Sequence, residues 1–157
     1  MWRKLKIYLI SCLISLGVGG ISALLTMKNM NIYDTIIKPP LSPPGIIFPI
    51  VWTALYLLMG ISAGLIWERR GLTAKDADNA LIAYGASLVV NFAWSIIFFN
   101  FEAFLLAFIW LLFLLYLVIR TTYLYKKIDK VAAALQIPYI IWTAFAGYLS
   151  FSVWVLN

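Results

Sequence analysis

Asn91 and the tryptophans Trp52, Trp94 and Trp142 are the residues whose type and spacing suggest chemistry, and that chemistry is binding. Ala83, Ser87, Asn91 and Ser95 recur every four residues, so a helix would set them on one face, with Trp94 one turn from Asn91. Two readings fit the amide. It can join helices by a hydrogen bond worth about 0.6 kcal/mol on average in a membrane, or it can offer a polar contact at the floor of a cavity. Farther along, Pro138 cannot donate to the carbonyl of Ala134, which predicts a kink. Trp142 follows, then Phe145 and Ala146 one turn on, a large ring beside a small residue. Ordinary packing uses the same pattern. Trp52 fits either a cavity wall or an interfacial belt. Together Trp52, Asn91, Trp94 and Trp142 sketch an apolar cavity suited to a planar, hydrophobic ligand.

Conventional catalysis has little to work with. The chain has no histidine, which removes the commonest general base and the commonest metal ligand. Its single cysteine, Cys12, lies in an apolar run and reads as a small hydrophobe. None of the six acidic residues, and no Lys or Arg, falls mid-span. A charge at the bilayer centre costs at least about 2.5–3.5 kcal/mol and marks ion paths and proton relays. The pattern argues against a pump, an ion channel or a proton-coupled carrier. No metal site and no required cofactor are expected.

Membrane-spanning helices would hold these residues. Of 157 residues, 64% are hydrophobic and 11% charged, against about half and a quarter in a globular chain. A span needs about 20 mostly apolar residues. The pattern predicts one all-α domain over residues 1–157, an integral membrane bundle of five transmembrane helices at about 5–25, 45–67, 79–100, 103–123 and 131–156. Arg3, Lys4 and Lys6 resemble the start of a signal peptide, but the apolar run is too long and lacks a small-x-small cleavage site, so the helix reads as retained. Residues 26–44 carry Pro39, Pro40, Pro43 and Pro44 and read as a loop. The loop is long for a compact bundle, and Tyr33, Ile36, Ile37 and Leu41 within it favour an ordered lid. Residues 68–78 and 126–130 read as charged loops. Ser11, Ser15, Gly19 and Ala23 form a smooth stripe, and Gly60 and Gly64 have the GxxxG spacing. These stripes and the small face of the third helix are candidate dimer surfaces. No internal repeat supports an inverted-repeat transporter.

Net charge is +6, with the cations flanking apolar runs as anchoring requires, so no nucleic-acid partner is expected. Arg3, Lys4, Lys6, Arg69, Arg70, Lys75, Arg120, Lys126, Lys127 and Lys130 share the N-terminal side, and only Lys28 and Lys38 lie opposite. The positive-inside rule then predicts a multi-pass cell-membrane protein with a cytoplasmic N-terminus and an extracellular lid and C-terminus.

The run Lys38-Pro39-Pro40-Leu41-Ser42-Pro43-Pro44, with Phe48, Val51-Trp52, Leu55-Tyr56 and Gly60, resembles the tryptophan-rich sensory protein family, also known as translocator protein or peripheral benzodiazepine receptor. The resemblance continues at Asn91-Phe92-Ala93-Trp94 with Phe98-Phe99, and from Pro138 through Trp142 to Ala146. It implies a five-helix bundle, commonly a homodimer, with a cavity closed by the first loop. It also implies binding of porphyrins and of isoquinoline-carboxamide or benzodiazepine drugs. By motif it implies a pocket of Tyr33, Pro43, Trp52, Asn91, Trp94, Trp142, Phe145 and Ala146. The chain departs from the family at Tyr33, where tryptophan is frequent. It departs again in Leu149–Val155, where Phe151 and Val155 replace the tyrosine and basic residue of a cholesterol motif, and this counts against a sterol role.

The leading expectation is a receptor or sensor for a protoporphyrin-type tetrapyrrole. With no imidazole to ligate haem iron, stacking on Trp52 and Trp142 would supply affinity, and Lys38 or lid amides would meet the propionates. Light-dependent oxidative degradation of the bound porphyrin is a further expectation, with Trp52 and Trp142 as the redox-active groups. The alternatives are a transporter of porphyrin or other hydrophobic small molecules, and a purely structural bundle.

Overall fold

In hydrocarbon a backbone can satisfy its polar groups only within itself, so long apolar runs become helices. The computed structural model describes residues 1–157 and is a helical bundle without strands. Helix α1 spans Trp2–Thr26 and leads through a 3-10 turn, Met27–Asn29, to the one-turn helix α2, Ile32–Thr35. Helix α3 spans Ile47–Arg69. Helix α4 spans Ala74–Ser95 and continues as a π-helical turn, Ile96–Asn100. Helices α5 and α6 span Phe104–Ile128 and Lys130–Leu156. Five of these helices are long and apolar enough to cross a membrane.

The charged segments are shorter as loops than their composition suggests. Residues 68–78 turn only over 70–73, because Asp76 sits in the first turn of α4 where the helix dipole favours an anion. Asp78 reaches back to take Nε and Nη2 of Arg70 at 2.6 and 3.2 Å. Helix α5 runs on through Lys126 and Lys127, which suit the negative end of a dipole. Only Asp129 separates it from α6. Oδ1 of Asp129 accepts the amides of Val131 and Ala132 at 2.8 and 3.0 Å, capping α6, while Oδ2 pairs with Arg69 at 3.2 Å. The amide of Ala132, then those of Val131 and the Arg69 guanidinium, hold this carboxyl below its ordinary pKa. Pro138 lies within α6, which stays one helix of 27 residues across it.

Small residues decide how the first helices meet. A Cβ on Gly19 would run into the Tyr56 ring, and one on Gly60 would lie 2.6 Å from the Cα of Cys12. Ser11 donates to the Gly60 carbonyl and Ser15 to that of Tyr56, both at 2.7 Å. The serine–glycine stripe of α1 and the GxxxG spacing of α3 therefore lock onto each other within one chain. They are not available as dimer surfaces. The small face of α4 also turns inward, with Ala83, Ser87 and Asn91 buried. Elsewhere α3 packs on α6, α4 on α5 and α5 on α6. Gln136 donates to Ser62 at 3.1 Å and Ser62 to the Ala132 carbonyl at 2.8 Å, while the Trp110 indole donates to the Val90 carbonyl at 2.7 Å. Ile82, Val89 and Leu13 point outward from the bundle, as a lipid-facing surface requires.

Candidate functional site

The lid follows from the chemistry of residues 27–46. Prolines deny this stretch a helical ladder, so side chains hold it. Leu41 turns the chain at a φ of 68°, a left-handed conformation that a leucine rarely adopts, and the Ser42 hydroxyl donates to the Pro39 carbonyl at 2.7 Å across this turn. Tyr33, on α2, is buried and donates its hydroxyl to the Pro43 carbonyl at 2.7 Å. Burial raises the pKa of this phenol, so it stays a donor through neutral pH. Lys38 stands 4.6 Å above the same ring. Tyr148, on α6, donates to the Pro40 carbonyl at 2.8 Å, and Asn157 brackets Ile37, accepting its amide at 2.9 Å and donating to its carbonyl at 3.0 Å. At the other edge, Asn100 in the π-turn accepts from Asn29 at 2.9 Å and donates to the Leu25 carbonyl at 3.1 Å. A π-turn is often found at functional sites; this one ties the end of α4 to the start of the lid.

Beneath the lid the aromatic rings form two groups. In the first, Trp52 lies 6.3 Å from Trp94, 5.7 Å from Tyr56 and 6.2 Å from Tyr139. Trp94 continues to Phe98 at 5.5 Å and Phe99 at 6.3 Å. In the second, Phe48 meets Tyr33 edge-on at 5.0 Å and Trp142 at 5.8 Å, and Trp142 meets Phe145 at 5.5 Å. Phe48 is therefore the hinge between the lid, α3 and α6.

A hollow of about 100 Å³ lies beside the first group, lined by Trp52, Trp94, Phe48, Phe99, Ser22 and Thr26 among others. An outer groove of about 540 Å³ lies against Tyr33, Asp34 and Gly45. The two share Met30, Phe48, Pro49 and Phe99, which form the wall between them.

The pocket residues expected from the sequence thus separate. Trp52 and Trp94 share the hollow. Trp142, Phe145 and Ala146 do not line it; Trp142 packs instead against the lining residue Phe48. Tyr33 and Pro43 form the latch above. Asn91 does not reach the hollow either. Its Nδ2 donates to the Tyr139 hydroxyl at 2.8 Å, with Asn91 only 1% exposed, so the helix-joining reading describes its present geometry. Sequence reasoning gives no place in the site to Phe48, to Tyr56 and Tyr139, or to the α1 residues Ser22 and Thr26. Phe48, Tyr56 and Tyr139 stand within the motif runs that carry the family resemblance but not in the pocket it implies, and Ser22 and Thr26 extend the small-residue pattern of α1.

The indole N–H groups of Trp94 and Trp142 are buried without an acceptor, one in each aromatic group. A buried donor left unmade costs about 1–3 kcal/mol, so such groups call for an explanation. No cluster of three or more His, Cys, Asp or Glu side chains is placed to hold a metal.

Comparison with known proteins agrees with this architecture. The chain is 29% identical to tryptophan-rich protein TspO of Chlorobaculum tepidum over 143 residues, covering 90% of each chain. It is 35% identical to protein CrtK of Rhodobacter capsulatus over 127 residues, 80% of this chain and 78% of the relative. It is 34% identical to the translocator protein of Ovis aries over 125 residues, 80% and 74% of the two chains. Residues 10–155, nearly the whole bundle with its lid, match the TspO/MBR family, and the chain belongs to that family.

Proposed function

We propose that this protein is a membrane receptor that binds a porphyrin in the aromatic space under the lid, and that the lid opens to admit it. The observation that carries this reading is that, of the five buried polar side-chain atoms without a partner, two are the indole donors of Trp94, which lines the hollow, and of Trp142, which packs on the lining residue Phe48. If Phe48 swings outward with the lid, the hollow, the outer groove and the Trp142 shelf become one space. Ligand sites of drug-sized molecules run to about 300–1,000 Å³, so the hollow of about 100 Å³ is too small as it stands and this reading requires the motion. A flat macrocycle would then stack on Trp52 and Trp142, its polar edge would accept the two indole N–H groups, and Lys38 would meet a carboxylate. Tyr33, Pro43, Phe145 and Ala146 would frame it, with Asn91 supporting the floor through Tyr139. The protein itself needs no cofactor in this reading.

The orientation belongs to the same proposal. Lys4 pairs with Glu68 at 3.4 Å and Arg69 with Asp129, so the start of α1, the end of α3 and the start of α6 lie together with most of the cations. That end is cytoplasmic by the positive-inside rule, and the lid and C-terminus are extracellular. Homodimerisation would use lipid-facing positions, since the glycine stripes are occupied within the chain.

The test is a titration of detergent-solubilised protein with protoporphyrin, read by quenching of tryptophan fluorescence. Trp142→Ala should weaken binding about tenfold, the scale of a lost stacking contact with its buried area. Trp2→Ala, on the exposed start of α1, should not. Equal affinity in both variants and the wild type would remove the basis of the proposal. A second reading, light-dependent oxidation of the bound porphyrin, is favoured by the packing of Trp52 against the oxidisable rings of Trp94, Tyr56 and Tyr139. Under illumination in air, Trp52→Phe and Trp142→Phe should slow porphyrin bleaching relative to wild type, and equal bleaching with free porphyrin would dismiss it.

A further inference from the structure

At the end of the bundle opposite the lid, a basin of about 830 Å³ is lined by Arg3, Lys4, Glu68, Arg69 and Arg70. Its four cations face one carboxylate, and that carboxylate is engaged by Lys4 at 3.4 Å and by the Tyr8 hydroxyl. Arg69 and Arg70 also pair with Asp129 and Asp78 outside the lining. These pairs leave donors unused. Arg70 commits Nε and Nη2 to Asp78 and keeps Nη1, and Arg3 has no carboxylate partner. The start of α4 adds to the field. Thr73 turns its hydroxyl to the Arg69 carbonyl at 3.3 Å and makes no cap to the α4 amides, and Ala74 lines the basin.

The basin does not end at the membrane surface. A second space of about 340 Å³ runs from it between α1, α3 and α4, walled by Ile10, Ile14, Ala63, Leu81 and Tyr84. Ile7 and Trp67 line both spaces. The Arg70 guanidinium lies 4.9 Å over the Trp67 ring, so a cation marks the junction. From Ile7 to Ile14 the groove follows α1 for about 10 Å at 1.5 Å per residue. A positively charged head site leading into an apolar groove matches a molecule with an anionic head and a hydrocarbon tail. Basic pockets between transmembrane helices are known to take acidic lipid head groups.

We propose that the basin and groove together hold one anionic phospholipid, its phosphodiester among Arg3, Lys4 and Arg70 and one acyl chain along Ile7–Ile14. This site is separate from the space under the lid and does not depend on the porphyrin reading. A soluble phosphate would use the basin and leave the groove without a role, which is why the lipid is the occupant assigned.

Native mass spectrometry of the detergent-solubilised protein with equimolar phosphatidylglycerol and phosphatidylcholine tests it. Wild type should retain phosphatidylglycerol about fivefold over phosphatidylcholine, the factor supplied by about one well-placed cation. Arg3→Gln should abolish that preference. Ile10→Trp, which fills the groove from its exposed wall, should lower retention of phosphatidylglycerol. Lys126→Gln removes the same charge from the same end outside the basin and should leave the preference intact. The proposal fails if wild type shows no preference, if Lys126→Gln matches Arg3→Gln, or if Ile10→Trp changes nothing. It fails also if water-soluble glycerophosphoglycerol displaces the lipid at equal concentration, since the site would then serve a free phosphodiester.

Discussion

Replacing Tyr33 with phenylalanine removes one atom from the lid and tests how it is held. The ring keeps its edge contact with Phe48 at 5.0 Å, and what disappears is the 2.7 Å hydrogen bond to the Pro43 carbonyl. A net contribution of about 0.5–1.5 kcal/mol is typical for such a bond. Pro43 is only partly buried, so water can reach its carbonyl and no full desolvation penalty adds to the loss. About 1 kcal/mol is the resulting cost, or about fivefold in the opening equilibrium. The remaining ties, Tyr148 to Pro40 and Asn157 to Ile37, keep the lid closed most of the time. Hydrogen exchange in detergent micelles reads this directly. The amides of Ile37 and Ser42, bonded to Asn157 and to the Pro39 carbonyl, should exchange about fivefold faster in Tyr33→Phe. Amides in the middle of α6 should not change. Unaltered lid exchange would refute the latch, and equal acceleration in α6 would show that the hydroxyl supports the whole fold instead.

Other perturbations follow from the same geometry. Gly60→Ala presses a methyl against the Cys12 backbone and should cost about 1–3 kcal/mol, seen as a lower unfolding temperature in detergent. Gly17→Ala, with nothing within 4 Å, should be neutral or stabilising by up to about 1 kcal/mol in the same assay. A double-mutant cycle of Asn91→Ala and Tyr139→Phe should return a coupling near 0.6 kcal/mol, the scale of hydrogen bonds between membrane helices, and a value of zero would deny the bond. Asp129 has a depressed pKa in the folded protein, so its contribution is complete above the ordinary aspartate value of about 3.9 and is lost as pH falls through the depressed one. Denaturation midpoints should therefore fall below about pH 4. Asp129→Ala should lower stability by about 1 kcal/mol at neutral pH and flatten that acid limb.

Much of the architecture is legible without coordinates. The prolines at 39, 40, 43 and 44 announce a segment that cannot join a helix, and its buried Tyr33 shows why apolar residues accompany them. The charged boundaries are misjudged for a local reason. Asp76, Asp78 and Asp129 look like loop residues by composition, but Asp76 is an anion in the first turn of α4, Asp78 pairs with Arg70 and Asp129 caps α6, so the helices begin early. The stripes of small residues are legible as close-approach surfaces, yet nothing local distinguishes approach within a chain from approach between chains.

The number of spans and the gathering of most cations at one end can be read from the residues alone. Hydrocarbon leaves a backbone no partner outside its own helix, so apolar length alone sets the spans. Which residues meet comes only from packing: Asn91 with Tyr139, Trp52 with Trp94, and Phe48 with Trp142. A helix that is apolar all round carries no pattern to say which side faces its neighbours. The rotation of each span, and with it the shape of the site, is fixed only when rings, glycines and serines from distant parts of the chain pack together.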